Sequence, residues 1–181
     1  MRALVFAWLA LLTACATLPG PAAPLTGDSF ELAGRFAARQ GEEAASGRLQ
    51  WRHTASDDDL LLTSPIGQGI ARVTRRDGRY LLETADGRRI DAEDPDVLVE
   101  EVLGWRFPVA SLPSWLRARP IPGRPAQVER ADTGEVSSIS QDGWRVEYLA
   151  YGSPNRLPQR IRLARGDLEV RLHVDTWTTP D

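Results

Sequence analysis

The chain has 181 residues, enough for one domain with a real core, and its 22 basic residues, all arginine, set against 25 acidic ones give a net charge of −3. No basic stripe dominates, which argues against nucleic acid as a partner. A single cysteine cannot form an internal disulfide, and His53 and His173 are too far apart for a metal-ligand spacing.

The chain opens Met1-Arg2, runs apolar through residues 3–12 and continues Thr13-Ala14-Cys15. One positive charge, a short apolar core and small residues before a cleavage point predict a secretory signal peptide over residues 1–14. The run falls well short of the ~20 residues that span a bilayer. Leu12-Thr13-Ala14-Cys15 resembles the bacterial lipobox. That resemblance implies a diacylglycerol on the Cys15 thiol, cleavage before Cys15 and acylation of the freed amine. Two or more acyl chains anchor firmly where one does not. Ala16 follows, where an aspartate signals retention at the inner membrane, so the resemblance implies passage to the outer membrane. Residues 15–28 then hold the lipidated cysteine and a tether rich in proline, glycine and alanine, which builds no core.

A folded domain over 29–181 begins with residues of period two. Phe30, Leu32, Gly34 and Phe36 alternate with Glu31, Ala33 and Arg35; Leu49 and Trp51 alternate with Arg48, Gln50 and Arg52. The same alternation returns at Tyr80 and Leu82, at Val146, Tyr148 and Ala150, at Ile161 and Leu163, and at Leu168 through Val174. Each run is a strand with one dry and one wet face, and arginine is commonest on the wet faces. Asp77-Gly78, Asp86-Gly87, Thr133-Gly134, Asp142-Gly143 and Gly166-Asp167 supply hairpin turns between them. The pattern predicts an antiparallel meander of roughly ten strands, with no internal sequence repeat.

The middle breaks this period. Asp94-Pro95 reads as N-cap and first helical residue, and Val97, Leu98, Val102, Leu103 and Trp105 follow at helical spacing. Ser111 is placed to cap a second short helix that carries Leu112, Trp115 and Leu116 on one face, with Pro113 in its first turn. A curved sheet has a dry face that must be covered, and these helices are the available cover. The expected fold is mainly β, a half-open antiparallel barrel closed by short α-helices that form a lid over a hydrophobic cavity. A ligand site belongs in that cavity.

Catalytic patterns are absent. No Gly-x-Ser-x-Gly elbow occurs, and Gly67-x-Gly69 lacks the third glycine and helix of a dinucleotide loop. The reading is of a protein that is not an enzyme and carries no metal or cofactor. Asp57, Asp58 and Asp59 read as a solvated loop tip rather than a calcium site. Leu60-Leu61-Leu62 suits a strand buried on both faces, and the following Thr63-Ser64-Pro65-Ile66-Gly67 puts a bulky apolar residue into a turn. Turns favour small and polar residues. Ile66 therefore either folds back onto the core or forms an apolar tip that touches a membrane or an acyl chain.

Taken in order, several segments resemble the LolB family of outer-membrane lipoprotein receptors. They are Gly34-Arg35-Phe36, Leu61 through Gly67, Leu103-Gly104-Trp105 through Pro108-Val109, Leu112-x-x-Trp115-Leu116, Gly143-Trp144-Arg145-Val146-x-Tyr148, and Leu157-Pro158 leading to Trp177. No one of them is specific; their order together with the lipobox is. The lid departs modestly, because the family often has a glycine after its Trp-Leu pair where this chain reads Leu116-Arg117-Ala118. The resemblance implies a receptor that accepts acylated lipoproteins from a LolA-type periplasmic carrier and delivers them into outer-membrane lipid. It implies a membrane-inserting loop at Pro65, Ile66 and Gly67. Cavity-wall candidates are Trp51, Leu60, Leu62, Leu82, Leu103, Trp105, Leu112, Trp115, Leu116, Trp144 and Tyr148, each of which also suits ordinary core packing. The protein is expected to work as a monomer. The rival reading is a structural or assembly lipoprotein of the outer membrane that shares Cys15 and the β domain but lacks an acyl-binding cavity.

Overall fold

A computed structural model describes residues 25–103, 107–153 and 156–180, without the side chains of 99 and 101–103. Cys15 and its signal peptide, most of the tether, and Trp105 lie outside these residues.

Among the described residues eleven antiparallel strands form one sheet. They are β1 (Phe30–Gln40), β2 (Glu43–His53), β3 (Asp58–Thr63), β4 (Gly69–Arg76), β5 (Arg79–Thr84), β6 (Arg89–Ala92), β7 (Ala126–Arg130), β8 (Val136–Gln141), β9 (Trp144–Tyr151), β10 (Pro158–Arg165) and β11 (Leu168–Thr178). Their spatial order is β6-β5-β4-β3-β2-β1-β11-β10-β9-β8-β7, so the chain meanders outward from β1 and returns through β11. The two edges, β6 and β7, are consecutive in sequence but not paired with each other. The segment joining them must cross the open side of the curved sheet. It contains α1 (Pro95–Leu103), a 3-10 turn (Val109–Ser111) and α2 (Leu112–Trp115). Connectivity alone thus places the lid.

The period-two reading survives in detail. Leu168, Val170, Leu172 and Val174 are buried and alternate with less buried neighbours. An irregularity in the β1–β11 pairing at Ala33/Gly34 then shifts the phase, so that Trp177 pairs with Leu32 and packs edge-on against Phe30 at 5.4 Å. A Cβ on Gly34 would lie 2.4 Å from the His173 carbonyl oxygen, which is why that position is glycine. The Asp77-Gly78 and Asp142-Gly143 turns both have positive φ at each residue, the conformation two-residue hairpins need. On the outer face arginines pair with carboxylates, for example Arg35 with Asp175 and Arg162 with Glu169, both at 2.8 Å. Exposed pairs of this kind add little stability each.

Two local expectations are corrected. Leu61 is not buried on a second dry face; it is only partly covered and lies on the outer side among Arg52, Arg72 and Asp59. Ser111 makes no side-chain cap bond, because the preceding residues already turn as a 3-10 helix and hold it in helical conformation. Asp94 does cap α1, accepting the Asp96 N–H at 2.9 Å.

The lid ends in a tight reversal. The Ala118 N–H reaches the Trp115 carbonyl at 2.9 Å, and the Arg119 N–H reaches the Ser114 carbonyl at 3.1 Å. Ala118 takes φ +56°. This is the left-handed position after a helix that glycine ordinarily fills. A side chain there costs roughly 1–2 kcal/mol, part of which glycine returns through its freer unfolded chain. Ala118→Gly is expected to stabilise the domain by about 0.5–1 kcal/mol, read as a higher midpoint in urea with unchanged slope. Just beyond, Arg117 and Arg119 each donate to the Asp28 carboxylate at 2.8 Å, tying the start of the domain to the end of the lid. The Arg117 hydrogen bond and charge hold that carboxyl below its usual range.

Candidate functional site

The inner face of the sheet is laid out in rows that run across the strands. One apolar row passes through Gly34, Leu49, Leu62 and Ala71. The next passes through Leu32, Trp51, Leu60, Val73 and Leu82. Above them lies an apolar cavity of about 160 Å³, roofed by Phe107, Val109, Leu112 and Leu116 from the lid. Of the wall candidates, Trp51, Leu60, Leu62, Leu82, Leu112 and Leu116 line it. Further lining comes from Phe36, Leu49, Ile70, Val73, Leu163 and Val170, which strand alternation places on the dry face but does not single out.

Trp115, Trp144 and Tyr148 sit together elsewhere, under the far end of the lid. Trp115 is wholly buried, and its indole N–H donates to Gln141 Oε1 at 3.0 Å. Its ring lies 6.3 Å from that of Trp144, and the Tyr148 hydroxyl donates to its carbonyl oxygen at 2.7 Å. Gln141 also receives the Ile121 N–H at 2.8 Å and donates to the carbonyls of Ile121 and Arg124. These residues fasten the lid to β8 and β9. Gln141 was not singled out from sequence, because a polar residue ending a strand looks solvated until its partners are in place. Leu103 falls in α1, but its side chain, like Trp105, lies outside the described residues.

All three tyrosines resist ionisation. Burial pushes Tyr148 far up, Tyr151 up to about 12, and Tyr80 up as well. Raised folded values mean that their stability contribution is whole below the unfolded value of about 10 and is lost as pH climbs beyond it. Phenolate absorbance is therefore expected to stay flat through pH 10 and then rise in one step with loss of the folded circular-dichroism signal. A separate native titration near 10 would show a tyrosine in water.

A third row closes the cavity at one end. It runs Phe30, His53, Asp58, Arg75 and Tyr80 across five strands. Asp58 is 6% exposed. Its Oδ1 accepts the Trp51 indole N–H at 2.9 Å and lies 2.6 Å from His53 Nδ1, while its Oδ2 accepts from Arg75 Nε at 2.5 Å. Arg75 also donates to the carbonyls of Thr54 and Ala55. This overturns the reading of Asp57, Asp58 and Asp59 as a solvated tip. Asp58 already belongs to β3, two residues before Leu60 and on the same face. The signal was in the alternation Asp58, Leu60, Leu62, and was masked by the run of three like residues.

At the opposite end the β3–β4 hairpin carries Ile66, which is 81% exposed. Ser64 accepts the Gly67 N–H at its carbonyl (2.9 Å) and the Gln68 N–H at its hydroxyl (3.1 Å), and its own N–H reaches the Gln68 carbonyl at 2.7 Å. Pro65 sits at the second turn position, where its ring fixes φ. Gly67 closes the turn at φ +88°. The turn is held from inside while Ile66 points out, so it does not fold back onto the core.

Among the described residues no group of three or more metal-binding side chains occurs, and no helix is long and apolar enough to cross a membrane. The family model for outer membrane lipoprotein LolB matches residues 28–177. The outer-membrane lipoprotein LolB of Thiobacillus denitrificans is 40% identical over 90% of this chain and 89% of its own length. That of Pseudomonas fluorescens is 36% identical over 96% and 94%. Among solved structures, a LolA superfamily protein from Nitrosomonas europaea superposes with a TM-score of 0.53 at 10% identity, covering 85% of this chain and 87% of that one, a likeness of fold.

Proposed function

This chain belongs to the outer-membrane lipoprotein LolB family, and on that premise we propose that it accepts acylated lipoproteins from a LolA-type periplasmic carrier and inserts them into the outer membrane. It is an outer-membrane lipoprotein that works in lipoprotein localisation. Residues 1–14 are removed, Cys15 carries the lipid anchor, and the following tether spaces the folded domain from the bilayer. The receptor acts as a monomer and makes or breaks no bond in its cargo.

The observation that carries this reading is the apolar cavity between sheet and lid. Each buried CH₂ is worth ~0.8 kcal/mol, so exposing a sixteen-carbon chain to water costs on the order of 12 kcal/mol. A carrier must hand such a chain from one apolar enclosure to another. Transfer then needs only a descending order of free energies, carrier to receptor to bilayer, at ~1.4 kcal/mol for each factor of ten. The cavity of about 160 Å³ is smaller than the ~300–1,000 Å³ of ordinary ligand pockets. A cavity of that size is too small for a whole acyl chain, so the segment from Phe107 to Leu116 must lift to admit one. Ile66, presented by Pro65 and Gly67, is the tip that enters the membrane for release.

The test mixes the soluble Cys15→Ala chain with a LolA-type carrier loaded with a labelled lipoprotein and follows the label by pull-down. Label moving onto this chain is the expected result. Label staying on a folded carrier, with this chain folded too, overturns the receptor reading in favour of a structural lipoprotein.

A further inference from the structure

The polar row at the end of the cavity has no part in the transfer described so far. Around it lies a second hollow of about 290 Å³, lined by His53, Asp58, Arg75 and Tyr80 from the sheet and by Val109, Ala110 and Pro113 from the lid. It shares the walls Trp51, Leu60, Val73 and Val109 with the apolar cavity, so one ligand can occupy both.

The groups facing this hollow are rich in unused donors. Arg75 commits one N–H to Asp58 and two to the carbonyls of Thr54 and Ala55, which leaves two of a guanidinium's five. The Tyr80 hydroxyl has no hydrogen-bond partner among the described residues. The roof opposite, Val109, Ala110 and Pro113, brings no polar side chain. Burying an ion pair is expensive, and an apolar filling would serve packing alone at least as well. Asp58 accounts for the arginine's orientation, not for the donors left over.

We infer that this row is the seat for the polar junction of the cargo, the ester and amide carbonyls through which the acyl chains join the glyceryl-cysteine at a lipoprotein's amino terminus. This rests on the transfer reading above and adds an orientation to it. Carbonyls are acceptors and the seat offers donors. With the carbonyls held at the row of Asp58, the chains lie along the apolar rows of Leu60 and Leu62, toward the hairpin that bears Ile66. Asp58 and His53 are positioning residues, and Arg75 and Tyr80 are the groups that touch the ligand.

The experiment uses the mature chain with Cys15→Ala and two probes. One is the hydrocarbon fluorophore diphenylhexatriene; the other is a synthetic tripalmitoyl-cysteinyl-serine, measured by its displacement of the first. Tyr80→Phe removes only the unpartnered hydroxyl. The variant is expected to weaken the lipopeptide by about threefold to tenfold and to leave the hydrocarbon unchanged. If it matches the parent on both probes, the seat is wrong while the receptor reading stands. If the parent takes the hydrocarbon but not the lipopeptide, the receptor reading fails and the seat fails with it.

Discussion

Ile66→Glu is expected to leave the fold and the acceptance of cargo intact and to abolish delivery into vesicles. The side chain is 81% exposed, and its turn is held by Ser64, Pro65 and Gly67 without its help. A change at such a site falls within about 0.5 kcal/mol, a shift in melting temperature of no more than ~2 °C. In membrane the balance differs. Burying an isoleucine is worth about 1.5–3 kcal/mol, and a glutamate in its place must be neutralised or left in water. Loss of that term alone slows entry by roughly 10- to 100-fold. The measurement loads the variant with labelled lipoprotein and then adds liposomes. Label retained on the variant while the parent empties is the expected result. Equal delivery by both removes Ile66 from the mechanism, and an unfolded variant returns it to the core.

That loop was legible in the sequence because it broke a rule: an isoleucine at a turn, between residues that build one. The sheet was legible for a similar reason, since alternation survives along β1, β2 and β11 and the Asp-Gly pairs mark hairpins directly. The lid's placement followed from the chain's need to cross from β6 to β7, but its ends did not. Ser111 looked like a cap and is not one, and the left-handed Ala118 had no local mark, since an alanine does not announce a positive φ. The aromatic wall candidates divided in a way that spacing cannot reveal. Trp51 lines the cavity, whereas Trp115 and Trp144 pack against Gln141 and Phe107. Which way a buried ring faces depends on partners from strands far off in sequence. The polar row was the largest omission, because Asp58, Arg75 and Tyr80 each look ordinary alone. Only the register of β2 to β5 brings them into line.

That row makes Asp58→Ala the substitution with the largest expected cost to stability. It leaves the Arg75 guanidinium, whose side chain is 15% exposed, facing Trp51 and His53 without its carboxylate. Breaking one partner of a buried pair typically costs about 3–5 kcal/mol, which in a domain of this size lowers the melting temperature by roughly 10–15 °C. Arg75→Met is expected to cost a similar amount, because it strands the carboxylate instead. The double variant Asp58→Leu with Arg75→Met removes both charges, and its loss should be well below the sum of the two single losses. Thermal melts of the four proteins decide the matter. A double variant that recovers stability but no longer discriminates the lipopeptide from the hydrocarbon would mean that the pair is kept for its donors rather than for the fold. Additive losses would mean that the two residues act separately, and that Arg75 owes its position to the carbonyls of Thr54 and Ala55 rather than to Asp58.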